Sequence, residues 1–308
     1  MRVVESPNTL DGQPIVATIG FFDGVHLGHR YLIDQVKHVA GERGLASAAI
    51  TFPIHPRKVM QTDYQPALLC GYDERIERLS TTGLDYCISI DFTRELSQLS
   101  AREFIQQILK GKYNVQVLLI GYDHRFGHNR EDGFEQYQQY AAEVGMEVIQ
   151  AQAYPDEYVS SSHIRQLLKE GRIEEANHLL GYNYIISGRI VKGFQIGRTI
   201  GFPTANIESW ERYKVIPAFG VYAIHVYIEG KRYDSMLYIG VRPTVQNGMN
   251  VSVEANIFDF DGDLYNKSLS AEFLEFIRPD IKFSGLDALR QQLQKDKDNV
   301  IETLKKYR

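Results

Sequence analysis

Two stretches of the chain combine the residue types that phosphate chemistry needs. The first is G-F-F-D-G-V-H-L-G-H from Gly20 to His29, in which three glycines accompany two histidines three residues apart. It follows a short apolar run and leads into a helical pattern, a junction where free backbone N–H groups and the helix dipole favour anions. His26 and His29 add donors for a triphosphate and for charge that builds at its α-phosphorus during displacement. The same residues also read as a glycine-rich turn with two surface histidines. The second stretch, Gly188 to Asn206, reads G-R-I-V-K-G-F-Q-I-G-R-T-I-G-F-P-T-A-N. Glycines let a backbone approach a phosphate closely, and the interspersed cations suit a flap over it. Thr204 and Asn206 then offer two neutral oxygens of the kind that bind Mg²⁺ shared with nucleotide phosphates. A hairpin with a β-bulge is the alternative reading.

Three further polar clusters each follow an apolar run: Thr51-Phe52-Pro53-Ile54-His55-Pro56-Arg57, Gly121-Tyr122-Asp123-His124-Arg125-Phe126-Gly127 and Ser160-Ser161-Ser162-His163-Ile164-Arg165. Taken singly, each also reads as a loop with a capping serine or a surface ion pair. No G-x-x-x-x-G-K-[ST] occurs, so any ATP must be held by cradles other than a P-loop.

The elements that must position these residues change character along the chain. Buried strands are expected at 14–20, 46–52, 84–92, 115–121 and 146–153, where short Val/Ile-rich runs end in turn residues. Helices are expected between them at 28–43, 73–82, 100–110 and 133–144, the third opened by Ser100 and Glu103 as a capping box. This alternation predicts a doubly wound parallel sheet, an α/β domain over 1–181, with ligands beyond the carboxyl ends of its strands.

After Gly181 the period becomes two, predicting an all-β domain over 182–308 built as an antiparallel barrel or sandwich. Tyr222, Ile224, Val226 and Ile228 share one face, with His225 and Tyr227 on the other, before a turn at Glu229-Gly230. In the next such strand Glu254 stands opposite Val251, Val253 and Ala255, which suits either a reactive group or a solvated glutamate. A C-terminal helix is expected over 285–306, with Leu286, Leu289, Leu293, Val300 and Leu304 as its packing stripe.

Composition narrows the partners. In 308 residues, 34 basic against 39 acidic side chains give a net charge of −5, without the basic excess of a nucleic-acid binder. No run approaches the roughly 20 apolar residues of a membrane span. Charges and a proline stand in M-R-V-V-E-S-P where a signal peptide needs an apolar core, so a cytoplasmic location is expected. Cys70 and Cys87 lack metal-site spacing and read as buried thiols.

The motifs together resemble a known family. GFFDGVHLGH and SSSHIR are similar to the HxGH and SSxxR signatures of the nucleotidylyltransferase superfamily. With FPIHPRK and GYDHRFG, and then GFPTAN, IGVRPT, VEANIFDFDGDLY and IRPDIKF in order, the chain resembles the prokaryotic bifunctional riboflavin kinase/FAD synthetases over essentially its whole length. The resemblance implies an enzyme that phosphorylates riboflavin to FMN in a C-terminal β-barrel and adenylylates FMN to FAD in the N-terminal domain. ATP, riboflavin and FMN would be its small-molecule partners, with no nucleic acid and no membrane, and Mg²⁺ would accompany ATP.

The resemblance also implies roles for residues. His26 and His29 would bind the ATP phosphates, and Arg165 with Ser160, Ser161 and Ser162 would hold the β- and γ-phosphates. Gly20, Phe22, Asp23 and Gly28 would shape the cradle, while His55, Pro56, Asp123 and Arg125 would line the nucleotide and flavin pocket. In the barrel Gly193, Arg198, Gly201 and Pro203 would bind ATP, Thr204 and Asn206 would hold Mg²⁺, and Glu254 would be the general base. The chain departs from the family pattern at His124, Ser162, Asn256 and Asp280. Two alternatives remain at this point: an FAD synthetase with an inactive kinase barrel, and a non-catalytic flavin-binding regulator.

Overall fold

Strands β1 (Arg2–Val4), β2 (Ile15–Ile19), β3 (Ala46–Thr51), β4 (Tyr86–Ser89), β5 (Val115–Ile120) and β6 (Glu147–Gln150) form one sheet in the order β1-β4-β3-β2-β5-β6. Every neighbouring pair is parallel. A computed structural model describes residues 1–308 apart from 11, 62, 65, 122–123, 129, 194–196, 198–199, 243–249 and 263. The chain divides into two units, Met1–Ser161 and Ser162–Arg308.

Both faces of the parallel sheet are covered, which is why its inner strands β2, β3 and β5 are buried at nearly every position. Ile15, Ala17 and Ile19 pack with Phe104, Ile105, Tyr137 and Ala141 on one face. Val16, Ala49, Cys87 and Val117 meet Ile33, Val36, Ala40 and Leu79 on the other. The covering helices are α1 (Leu27–Arg43), α2 (Pro56–Met60), α3 (Tyr72–Ser80), α4 (Arg94–Ser97), α5 (Ala101–Glu103) and α6 (Phe134–Ala142). Past α5 the chain continues as π-helical turns over Phe104–Lys110. The capping box at the start of α5 forms as expected, with Glu103 N donating to Ser100 Oγ at 3.2 Å and Ser100 N to Glu103 Oε2 at 2.8 Å. Strand β1 was not anticipated, because its three residues are too few to show a period. The order reverses direction between β2 and β5, so the carboxyl end of β2 lies at a topological switch point, the usual ligand crevice of such sheets.

Helices α7 (Ser161–Glu170) and α8 (Ile173–Leu180) fall between this sheet and the change to period two. From Ser162 onward they belong to the second unit, where Ala218 N donates to Leu168 O at 3.0 Å.

The second unit is a closed antiparallel barrel of β7 (Ile185–Val191), β8 (Ala205–Ser209), β9 (Gly220–Ile228), β10 (Lys231–Arg242), β11 (Asn250–Ile257) and β12 (Ser268–Pro279), in the order β10-β11-β8-β7-β12-β9. Glu229 and Gly230 both take positive φ, 49° and 77°, giving the tight turn that joins β9 to β10. Inside the barrel Tyr222 meets Phe273 edge-on at 5.2 Å.

Helix α9 (Leu286–Leu304) packs outside, where Val300 and Leu304 cover Val221, Ala223, Met236 and Leu274. Consequently β9 is buried on both faces, and His225 is only 3% exposed where plain alternation would leave it wet. The expected packing stripe of α9 needs one correction. Leu286 is 58% exposed because it begins the helix, beyond the barrel surface that its later turns cover.

Candidate active sites

The segment after β2 is held in a conformation that few residues adopt freely. Phe22, Gly24 and Val25 all have positive φ, at 54°, 82° and 40°, and two of them pay with a Cβ for a geometry natural only to glycine. Such strain concentrates at functional loops. His26 ends the loop as the N-cap of α1, its Nδ1 accepting from His29 N at 3.4 Å. The two imidazoles stack with centroids 3.7 Å apart and planes 19° from parallel, and His26 is nearly buried. Gly28 leaves room beside them, because a Cβ there would stand a tight 3.3 Å from the His26 ring. The sequence thus places two imidazoles side by side on the first turn of a helix, at the switch point of the sheet.

Two buried groups brace this loop. Asp23, 4% exposed, accepts from Leu69 N at 2.9 and 3.0 Å and from Cys70 N at 3.1 Å, while Gly24 N donates to Cys70 Sγ at 3.1 Å. Its carboxylate is therefore placed as a tie between the 20–24 and 69–70 segments. Arg75, 1% exposed, lies over the Phe21 ring at 4.0 Å and donates to Phe52 O at 2.6 Å. Burial pulls its guanidinium pKa below the ordinary value against the opposing pull of Cys70 and Asp23. Sequence reasoning missed Arg75. The available signal was an arginine four residues before Leu79 on the inward stripe of α3, where a long cation needs a reason to be.

Several other expected residues follow strands of the same sheet. His55 caps α2 through Nδ1, which accepts from Arg57 N at 3.2 Å, and its ring lies 4.6 Å from Phe21 with Pro56 next in the helix. Ser161 Oγ donates to Asp23 O at 2.9 Å, joining the serine cluster to the glycine loop. Arg125 donates to Asp132 O at 2.7 Å. Phe22 Cζ would stand 3.2 Å from a Cβ on Gly20, so this glycine makes room for the inward ring. Ser160 precedes α7, Ser162 and Arg165 lie on it within the second unit, and Asp123 lies outside the described residues.

In the barrel, strand register assembles a second site. Asn206 of β8 pairs with Glu254 of β11, which pairs with Tyr238 of β10, which pairs with Val221 of β9. A row of side chains thus crosses four strands on the face that α9 covers. Thr204, just before β8, donates through Oγ1 to Glu254 Oε2 at 3.1 Å. Asn206 is 7% exposed, and its Oδ1 is a buried acceptor with no hydrogen-bond partner among the described residues. Such a lone oxygen fits a cation ligand. Among the described residues no three His, Cys, Asp or Glu side chains gather as a metal site.

One of the glycines expected in the flap lies tight against this row. A Cβ on Gly193 would sit 2.1 Å from Asn206 Nδ2, and Gly201 has φ of +85°. Pro203 O accepts from Asn256 Nδ2 at 2.7 Å, which gives Asn256 a structural role in holding the turn before Thr204. Arg198 lies outside the described residues.

Thr204 lines two cavities. One, of about 360 Å³, includes Glu254, Tyr238, Met236, Arg278 and Leu293. The other, of about 700 Å³, includes Pro203, Ile190, Phe260, Leu264 and Tyr265. Thr204 belongs to both. Such volumes are those of small-molecule sites.

Residues 9–163 match the family described as FAD synthetase, and residues 180–304 match riboflavin kinase. The chain is 36% identical to a bifunctional riboflavin kinase/FMN adenylyltransferase of Listeria monocytogenes, over 92% of this chain and 91% of that protein. It is 35% identical to the protein so described in Escherichia coli, over 96% of each chain. Among solved structures, one described as a macrolide-efflux protein from Streptococcus pneumoniae superimposes with a TM-score of 0.85 at 31% identity, covering 96% of this chain and 97% of that one. No helix among the described residues is long and apolar enough to cross a membrane.

Proposed function

The chain belongs to the bifunctional riboflavin kinase/FMN adenylyltransferase family and has both activities, and from that premise we propose how its residues divide the two reactions. In the barrel, riboflavin occupies the 360 Å³ cavity and the adenine nucleotide the 700 Å³ cavity, so that the two substrates meet at Thr204. Glu254 takes the proton from the ribityl 5′-hydroxyl, and that oxygen attacks the γ-phosphorus as ADP leaves. Thr204 orients the Glu254 carboxylate through their hydrogen bond. Thr204 and Asn206 would hold Mg²⁺, which, when bound, supplies positive charge to the nucleotide phosphates. Gly193 and Gly201 carry the flap over those phosphates.

In the N-terminal unit a phosphate oxygen of FMN attacks the α-phosphorus of a second ATP, and diphosphate leaves. His26 and His29 donate to the charge that develops there, presented by the N-terminus of α1. Gly20, Phe22 and Gly28 shape the cradle, and Asp23 braces it from behind. His55, Pro56 and Arg125 line the substrate pocket, and Ser160 and Ser161 hold the outer phosphates. Both reactions depend mainly on alignment and charge stabilisation, so neither needs a covalent enzyme intermediate.

The observation that carries this division is Thr204, common to two cavities and hydrogen-bonded to the Glu254 carboxylate of the cross-strand row. The test is chromatography of riboflavin incubated with the protein, ATP and Mg²⁺. Successive appearance of FMN and FAD supports it; conversion of added FMN to FAD with riboflavin untouched would assign the barrel to binding alone.

A further inference from the structure

Tyr238 stands next to Glu254 in the β10–β11 ladder and lines the smaller cavity, yet the phosphoryl transfer described above gives it no task. Its hydroxyl donates to Asp280 Oδ1 at 2.9 Å. Burial first, and then the hydrogen bond and charge of Asp280, push the phenol up to about 12. It is therefore a neutral donor at any working pH and not a second base beside Glu254.

Gly240 determines where the ring goes. A Cβ at 240 would stand 2.0 Å from the Tyr238 hydroxyl oxygen and 2.3 Å from the ring carbon that bears it. The ring therefore lies along the strand over Gly240, and only the absent side chain there lets the hydroxyl reach Asp280.

Asp280 begins the link between β12 and α9. This link carries Ile281 and Phe283, which line the cavity together with Leu289 and Leu293 of α9. Its start is fixed to the helix by Arg278, whose Nε and Nη2 reach the Asp296 carboxylate at 2.9, 3.1 and 2.6 Å. It is fixed to the residue that leads into β9 by Asp280 N, which donates to Phe219 O at 3.3 Å. Tyr238 supplies the tie to β10, the strand beside the carboxylate.

We propose that Tyr238 is a positioning residue for the acceptor substrate: by holding Asp280 it fixes the 279–283 link as the wall against which the flavin ring packs. The inference rests on the reading of this cavity as the riboflavin site. The hydrogen bond acts on the bound ring and not on the reacting oxygen, so its loss weakens acceptor binding without slowing the transferred step.

The test is steady-state riboflavin phosphorylation by the full chain carrying Tyr238→Phe, Asp280→Ala or both, with FMN adenylylation by the same preparations as the check on folding. Each single variant should raise the riboflavin KM roughly 3- to 10-fold, the range one hydrogen bond supplies, with kcat and the MgATP KM within about twofold of native. The double variant should be no worse than the singles, because both remove the same bond. A native riboflavin KM in Tyr238→Phe, additive effects in the double variant, or a fall in kcat at constant KM would each overturn the proposal. If the native chain formed no FMN, the cavity assignment itself would fail. If it forms FMN and Tyr238→Phe matches it, only the positioning role falls.

Discussion

Thr204 Oγ1 donates a 3.1 Å hydrogen bond to Glu254 Oε2, and Thr204 is also the residue that the two barrel cavities share. Under the proposed division, a carboxylate at that junction would reach an acceptor hydroxyl while a phosphate approaches. Glu254→Gln keeps the shape and the oxygen that accepts from Thr204, but its amide takes no proton at neutral pH. Its kcat for riboflavin phosphorylation should fall about 10²- to 10⁴-fold with little change in KM. Glu254→Ala with a native kcat would remove Glu254 from the chemistry.

Arg75 should matter to one reaction only. Arg75→Met leaves the Phe52 carbonyl without its buried donor and Phe21 without its cation, which should cost about 1–3 kcal/mol in a denaturant titration. The loosened loop should slow FMN adenylylation roughly tenfold to a hundredfold, the scale set by small misplacements of reacting groups. Riboflavin phosphorylation should stay near native, and equal loss of both activities in a folded variant would refute the bracing role.

The barrel should lose stability in mild acid through His225. Burial, then Arg232, pushes this imidazole below its ordinary pKa, against the opposing pull of Asp234 and Glu272. Below about pH 6.5 the unfolded chain therefore binds a proton that the folded chain refuses. The stability contributed by neutral His225 is complete above that pH and is lost as pH falls through it. His225→Gln should flatten the decline in Tm between pH 7 and 5; an unchanged slope would exclude His225 as its source.

The parallel sheet was legible because both its faces are covered, which makes β2, β3 and β5 continuous apolar runs ended by glycine or proline. The turn from Gly20 to His29 was legible because glycines at fixed spacing end an apolar run just before a helical pattern. What stayed hidden came from pairing between distant segments. Nothing local in the sequence aligns Asn206, Glu254 and Tyr238, since strand register alone puts them in one row. Asp23 read as part of the cradle beside Gly24, while the backbone N–H groups that engage it lie 46 and 47 residues away. The inward arginine of α3 and the doubly buried face of β9 likewise depend on what packs over them.

The central claim is that two phosphate-transfer sites work separately on one chain, and product chromatography of His29→Ala and Asn206→Ala, each given riboflavin or FMN with ATP and Mg²⁺, tests it most directly. His29→Ala should form FMN from riboflavin at near-native rate, with FAD formation reduced about 10²- to 10³-fold by loss of a transition-state donor. Asn206→Ala should leave riboflavin unphosphorylated at ordinary Mg²⁺ concentrations yet still convert added FMN to FAD. Loss of both activities in either folded variant, or retention of both in each, would contradict the account.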